Sequence, residues 1–275
     1  MTTEAVGALG GGASEPERRP FLERVLATRS GIIAARLVVV GVILALWQFV
    51  PVARGTKFWL SSPSQILSTL WGWVADGSIW IHLEATLTVM ALGYVIGCAS
   101  GIVIGLLLGF LPRVHRVLTP YISGLYALPK IALAPLFIIL LGIGVTSKVA
   151  LVAITVFFLL LTNTIDGVRD VDRDLVRLLN LMGATRLEII RKVLVPGALP
   201  WIFTGMRISV RYAFTNTLLA ELIAANRGLG FLIEYNSGNF NATGSYAAIL
   251  VLVLFSVALT ELLMRLEKLM SRRGA

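Results

Sequence analysis

Between Trp201 and Ala224 an otherwise apolar run carries Arg207, Ser209, Arg211, Thr215, Asn216, Thr217 and Glu221. Arg207, Arg211 and Thr215 recur at four-residue spacing, which sets them on one face of a helix. Ionisable groups are costly in lipid, so they either pair with neighbouring helices or line a wet path. Lining is the favoured reading, and two guanidinium groups along such a path would favour a small anion. Lys130 poses the same choice. It stands between Pro129 and Pro135, whose ring nitrogens leave backbone carbonyls free to line a cavity, or it snorkels or pairs within the bundle. The candidate path residues are therefore Pro129, Lys130, Arg207, Arg211, Thr215, Asn216 and Glu221.

Other chemistries are absent from the sequence. It contains no Gly-x-x-x-x-Gly-Lys-Ser/Thr phosphate loop. Asp170, Asp172 and Asp174 would need Gly at the sixth position and Glu at the twelfth to form a calcium loop, and Leu175 and Leu181 stand there. Helix capping is the better role for the three aspartates. His82 and His115 flank apolar runs without other metal ligands, and Cys98 is the single cysteine. No nucleophile triad or paired-carboxylate site is visible. The expectation is a chain that is not an enzyme and holds no metal or cofactor of its own.

The elements that must position these groups follow from composition. Hydrophobic residues make up 57% of the chain and charged ones 14%, against about 45–50% and 25% in soluble domains. Several runs approach the roughly 20 apolar residues that span a bilayer as a helix, and none alternates as a barrel strand would. The fold class is an all-α polytopic membrane protein. Spans are expected over about 31–50, 83–111, 117–141, 148–164, 201–224 and 246–266, within one domain over 31–268. Residues 1–30 and 269–275 read as cytoplasmic tails, the first of them disordered. Gly93, Gly97, Gly101, Gly105 and Gly109 recur at every fourth position of the second span, a smooth stripe that admits another helix closely. Trp59, Trp71, Trp73 and Trp80 suit a helix lying in the interface, with Ser62-Pro63-Ser64 as its capped start.

Of the 24 Lys and Arg, the segments on one side carry only Arg54, Lys57, Lys148 and Arg227. The positive-inside bias thus sets both termini and the 166–200 loop in the cytoplasm, and the charge of +9 reports topology rather than nucleic-acid binding.

That loop contains two helix patterns. Leu175, Leu178, Leu179 and Met182 recur at helical spacing and end at Gly183. Thr185 and Glu188 then form a capping-box pattern opening a second helix, which Pro196 and Pro200 are expected to stop. Such a hairpin could rest on the membrane surface, with Arg186, Arg191 and Lys192 against lipid phosphates.

The order Gly183-Ala184 followed by Val193-Leu194-Val195-Pro196 resembles the "EAA" cytoplasmic loop of bacterial ABC importer permeases. Between Leu60 and Leu266 the chain resembles, more narrowly, the permeases of nitrate, sulfonate, taurine and bicarbonate importers. Leu128-Pro129-Lys130-Ile131-Ala132-Leu133-Ala134-Pro135-Leu136, Leu141-Gly142-Ile143-Gly144, Leu194 to Pro200 and Gly228-Leu229-Gly230 carry that likeness. The resemblance implies a type I importer permease fold with cytoplasmic coupling helices, in a multi-pass protein of the cell inner membrane. It implies a homodimeric pore, two ATP-binding subunits that hold the ATP and Mg, and an extracytoplasmic solute-binding protein. Arg177, Leu178, Met182, Gly183, Ala184, Thr185, Glu188, Val195 and Pro196 would contact the ATPase. Arg177-Leu178-Leu179 stand where the family has Glu-Ala-Ala, so the acidic contact is absent or replaced. The implied solute is small and anionic, of the sulfonate, nitrate, taurine or bicarbonate kind. Relatives for thiamin precursors and riboflavin form the alternative. A stand-alone secondary transporter stands further off, since only Glu221 and Glu261 could couple an ion and no repeat is visible.

Overall fold

The computed structural model describes residues 29–53 and 60–271. All regular structure among them is helical. Residues 1–28 of the anticipated 1–30 tail, Arg54, Lys57, Trp59 and the terminal Arg272 and Arg273 lie outside the described residues, and Arg29 and Ser30 are helical.

The chain divides into two units, Met1–Thr56 and Lys57–Ala275. The first contributes α1 (Arg29–Ala53), a helix long and apolar enough to cross a membrane. The second contains α2 (Pro63–Ala75), α3 (Ser78–Phe110), α4 (Pro112–Ala127), a 3-10 turn (Lys130–Leu133), α5 (Ala134–Leu141) and α6 (Val145–Asp170). It continues through α7 (Arg173–Leu181), α8 (Arg186–Ile189), α9 (Val195–Ile223), α10 (Leu229–Gly238) and α11 (Ala242–Ser271).

The core is three helices deep. α3 lies along α6, and α9 packs on both. Val89, Met90, Cys98, Val152, Val156, Leu160, Ala213 and Phe214 form the largest buried cluster. The glycine stripe faces α6 directly. A Cβ built at Gly97 would lie 2.6 Å from the Ala153 carbonyl, and one at Gly101 2.7 Å from the Phe157 carbonyl. A second cluster joins Ile79, Leu229, Leu232, Ala248 and Val251, with Trp73 against it, while Trp71 and Trp80 stay exposed.

Three expectations are corrected. The run 117–141 is not one straight span: α4 and the Lys130–Leu141 segment meet at 86°. Pro129 excludes the helical region for the residue before it, and Leu128 is extended, with ψ of 136°. Pro196 and Pro200 do not stop the second loop helix, because an unbroken helical run extends from Arg186 to Ile223. Pro196 falls in the first turn of α9, where a missing N–H is tolerated, and the ladder widens to a π turn over Ile190–Leu194 just before it. Ser62 precedes α2 but gives it no side-chain cap; its hydroxyl pairs with Ser64 at 3.2 Å. Smaller shifts concern ends: α3 starts before residue 83, α6 covers more than 148–164, and α11 runs past residue 268.

Candidate functional site

The turn after α7 is built by three local devices. Asp172 caps α7 by accepting the Asp174 N–H at 2.7 Å. At the other end Ala184 N–H bonds Leu179 O at 3.0 Å and Gly183 N–H bonds Asn180 O at 3.1 Å, a Schellman closure. That closure needs a left-handed residue, and Gly183 supplies it with φ of +82°. Thr185 and Glu188 then form a reciprocal capping box, with Thr185 N–H to Glu188 Oε2 at 2.9 Å and Glu188 N–H to Thr185 Oγ1 at 3.3 Å. Lys192 pairs with Glu188 at 3.4 Å. Thr185→Ala is expected to lower stability by about 1 kcal/mol, measured as increased protease cleavage at the turn in otherwise intact protein.

What this turn presents is apolar. Leu181 is 86% exposed, Met182 74% and Leu187 72%, while Ile189 beneath them is buried. Arg186 anchors the turn to the core by donating to the Phe110 carbonyl, the last residue of α3, at 3.1 Å. Arg177 pairs with Asp174 at 3.0 Å. A carboxylate therefore stays on this surface, one helical turn earlier than Arg177.

The path candidates separate into two groups. Arg207, Arg211 and Thr215 lie on one exposed face of α9, and Pro129 is exposed at the break before the 3-10 turn. Asn216 turns away, buried, with its amide donating to Tyr212 O at 2.9 Å. Lys130 donates to the Tyr126 carbonyl and sits over the Tyr126 ring at 4.6 Å, so it pairs at the end of α4.

Glu221 departs furthest from expectation. It is 1% exposed and enclosed within this chain rather than facing an open path. Its carboxylate accepts Thr86 Oγ1–H at 2.9 and 3.0 Å and the Gly230 N–H at 2.9 Å. Thr86 accepts in turn from Leu229 N–H at 2.9 Å, and Gly228 N–H donates to His82 Nδ1 at 3.1 Å. The network pins the Gly228–Gly230 strap to α3 and α9. Gly228 has φ of +125°, and a Cβ there would fall on the Glu221 carboxylate. Lys148, buried on α6, adds a charge that acts on Glu221 from further off.

The family model for the binding-protein-dependent transport system inner membrane component matches residues 101–273. The chain belongs to that family. It is an ABC importer permease, and the family and fold are those of transport proteins, not enzymes. The permease is 34% identical to the taurine transport system permease protein TauC of Escherichia coli over 82% of this chain and 83% of TauC. It is 30% identical to the putative aliphatic sulfonates transport permease protein SsuC of Bacillus subtilis, over 100% of this chain and 99% of that one. The formylaminopyrimidine transport permease protein ThiX of Halalkalibacterium halodurans is 30% identical over 83% and 91%. Among solved structures, an inward-facing conformation of the MetNI methionine ABC transporter superposes with a TM-score of 0.57 at 20% identity, covering 70% of this permease and 96% of that chain.

Sequence reasoning on the permease missed Thr86 as the partner of Glu221, Lys148 as a charge acting on it, and His82 as the partner of Gly228 in the strap. Thr86 is an ordinary residue in an apolar helix, and Lys148 reads as a charge outside a span. The glycines of Gly228-Leu229-Gly230 carried the available signal, since paired glycines imply close approach of something to the backbone.

Proposed function

We propose that two copies of this permease form the pathway of an ATP-driven importer for a small anionic solute. A binding protein on the outer face delivers the solute, and two ATP-binding subunits carry ATP and Mg at the cytoplasmic turns. Both termini and the α7–α8 turn lie in the cytoplasm, as the distribution of Lys and Arg favours. The observation that carries the reading is the capped turn itself: Leu178, Leu181, Met182 and Leu187 stand exposed on a braced element that continues into the helix bearing Arg207 and Arg211. An apolar knob on a braced support suits burial in a partner groove better than contact with water. Arg177, Gly183, Ala184, Thr185, Glu188, Val195 and Pro196 shape and rim that knob.

Exposed Arg207, Arg211 and Thr215 support the anionic solute, as do the relatives named for taurine and aliphatic sulfonates. The second reading, a thiamin-precursor or riboflavin-like solute, is favoured by the relatives ThiX and the riboflavin transport system permease protein RibX.

Leu181→Asp combined with Met182→Asp is expected to leave the permease in the membrane and to weaken its hold on the ATPase. Two such anchors are worth at least about 2 kcal/mol, or roughly thirtyfold in affinity. Copurification of the ATP-binding subunit with the tagged permease in mild detergent reads this directly. Full recovery of the ATPase with the double variant would reject docking at this turn.

A further inference from the structure

Beside the Glu221 network a separate cavity of about 240 Å³ is lined by the first turns of α3, the start of α6 and the residues before α10. Its polar lining is Glu84, Thr88, Lys148, Asn226 and Arg227. Lys148 is 6% exposed, and among the described residues no hydrogen bond or ion pair reaches its ammonium group. Glu221 acts on it electrostatically, but the Glu221 oxygens are already committed to Thr86 and Gly230. Lys148 opens onto the cavity with no hydrogen bond or ion pair from the described residues, so its charge can be met there by an anion. The same Lys148 also lines a much smaller gap against Ala134, Ile138 and Ala220, which has no further polar side chain apart from Ser147. The polar ligands therefore converge on the larger cavity alone.

We propose that this cavity is a binding site for the singly charged anionic head group of the transported solute, at the end of the permease opposite the α7–α8 turn. The proposal rests on the importer reading above. Lys148 and Arg227 supply the positive charge, Thr88 and the Asn226 amide can donate to oxyanion oxygens, and Glu84 at the rim, with Glu221 acting on Lys148 from behind, holds the positive surplus down. That balance fits a single negative charge and disfavours a dianion. Glu84 also offers an acceptor to an ammonium group elsewhere on the solute. A solute released at the outer face would meet this site before the Arg207 and Arg211 face.

The test uses the full chain with its ATP-binding subunit in lipid-free maltoside detergent. Cys98 is the only native cysteine of this chain and is buried, so modification of Thr88→Cys, less that of the unsubstituted complex with the same ATP-binding subunit, reports on the cavity. The anionic sulfonatoethyl methanethiosulfonate is expected to modify Thr88→Cys about tenfold faster than the cationic trimethylammonioethyl reagent, the scale of charge focusing in a cleft. Millimolar methanesulfonate should slow the reaction. Lys148→Met should abolish the preference, and Arg227→Gln, at an exposed position that leaves the core intact, should reduce it severalfold. Equal rates for the two reagents, no slowing by methanesulfonate, or slowing only by added phosphatidylglycerol, which would make this a lipid site, each overturns the proposal. ATP-driven uptake by the same variant in proteoliposomes separates the two levels. Preserved uptake without charge preference rejects the site and leaves the importer. Charge preference with no ATP-driven uptake keeps the site and rejects the importer reading.

Discussion

Glu221→Leu is expected to yield little folded permease, and adding Lys148→Met to it should recover part of the loss. The carboxylate answers the Thr86 hydroxyl and the Gly230 N–H in a site with almost no water access. Removing one member of such a network leaves the others buried without partners, at a cost of about 3–5 kcal/mol. The single variant also removes the negative charge that acts on buried Lys148, whereas the double variant removes the positive charge as well. Glu221→Gln keeps an acceptor for one donor and should lie between. Monodisperse yield and thermal aggregation temperature in detergent rank the four proteins, with exposed Glu84→Leu as the control. Wild-type behaviour of Glu221→Leu would mean that the strap is held by something other than this carboxylate.

Gly97→Leu is the second large effect. Its Cβ alone would stand 2.6 Å from Ala153 O and 2.7 Å from Val156 Cβ, and the first of these is backbone that cannot rotate away. Separating α3 from α6 would open the contact that carries the main core cluster. The loss should reach or exceed the upper end of the roughly 1–3 kcal/mol seen for overpacking. At Gly124 on α4 and Gly72 on α2 a Cβ meets nothing within 4 Å. Ala or Leu at those two positions should leave detergent stability unchanged, so the comparison separates close packing from the general effect of replacing a glycine. Equal tolerance at Gly97 and Gly124 would sink the packing account.

The helical class, the glycine stripe and the two caps of the α7–α8 turn were legible because each depends on neighbours in sequence. The 3.6-residue period brings Gly93 through Gly109 onto one line, and the Thr185–Glu188 box closes within one turn. The prolines were harder. Pro129 broke a span because its effect falls on the residue before it, while Pro196 interrupted nothing because it arrived in a first turn after a π turn. Whether a proline stops a helix depends on its place in the ladder, which a run of apolar residues does not reveal. For Glu221 the sequence leaves open pairing with neighbouring helices or lining of a path, and the carboxylate is paired. Its partners come from positions 86 and 230, and one of the two is a backbone N–H that leaves no trace in the alphabet of side chains. Arg207, Arg211 and Thr215 share an exposed face because only their own helix had to align them.

The unbroken run from Arg186 to Ile223 has a mechanical consequence. At about 1.5 Å per residue it is a bar roughly 57 Å long. One close seat is at Ala198 and Trp201, where Gly167 has no room for even a Cβ: one would lie 2.6 Å from Trp201 Cβ. Arg186 is roughly 20 Å from that seat along the bar and Glu221 roughly 30 Å on the other side. A bar pivoting there is a seesaw with unequal arms. A sideways push on the turn would emerge at the strap in the opposite direction and about half as large again.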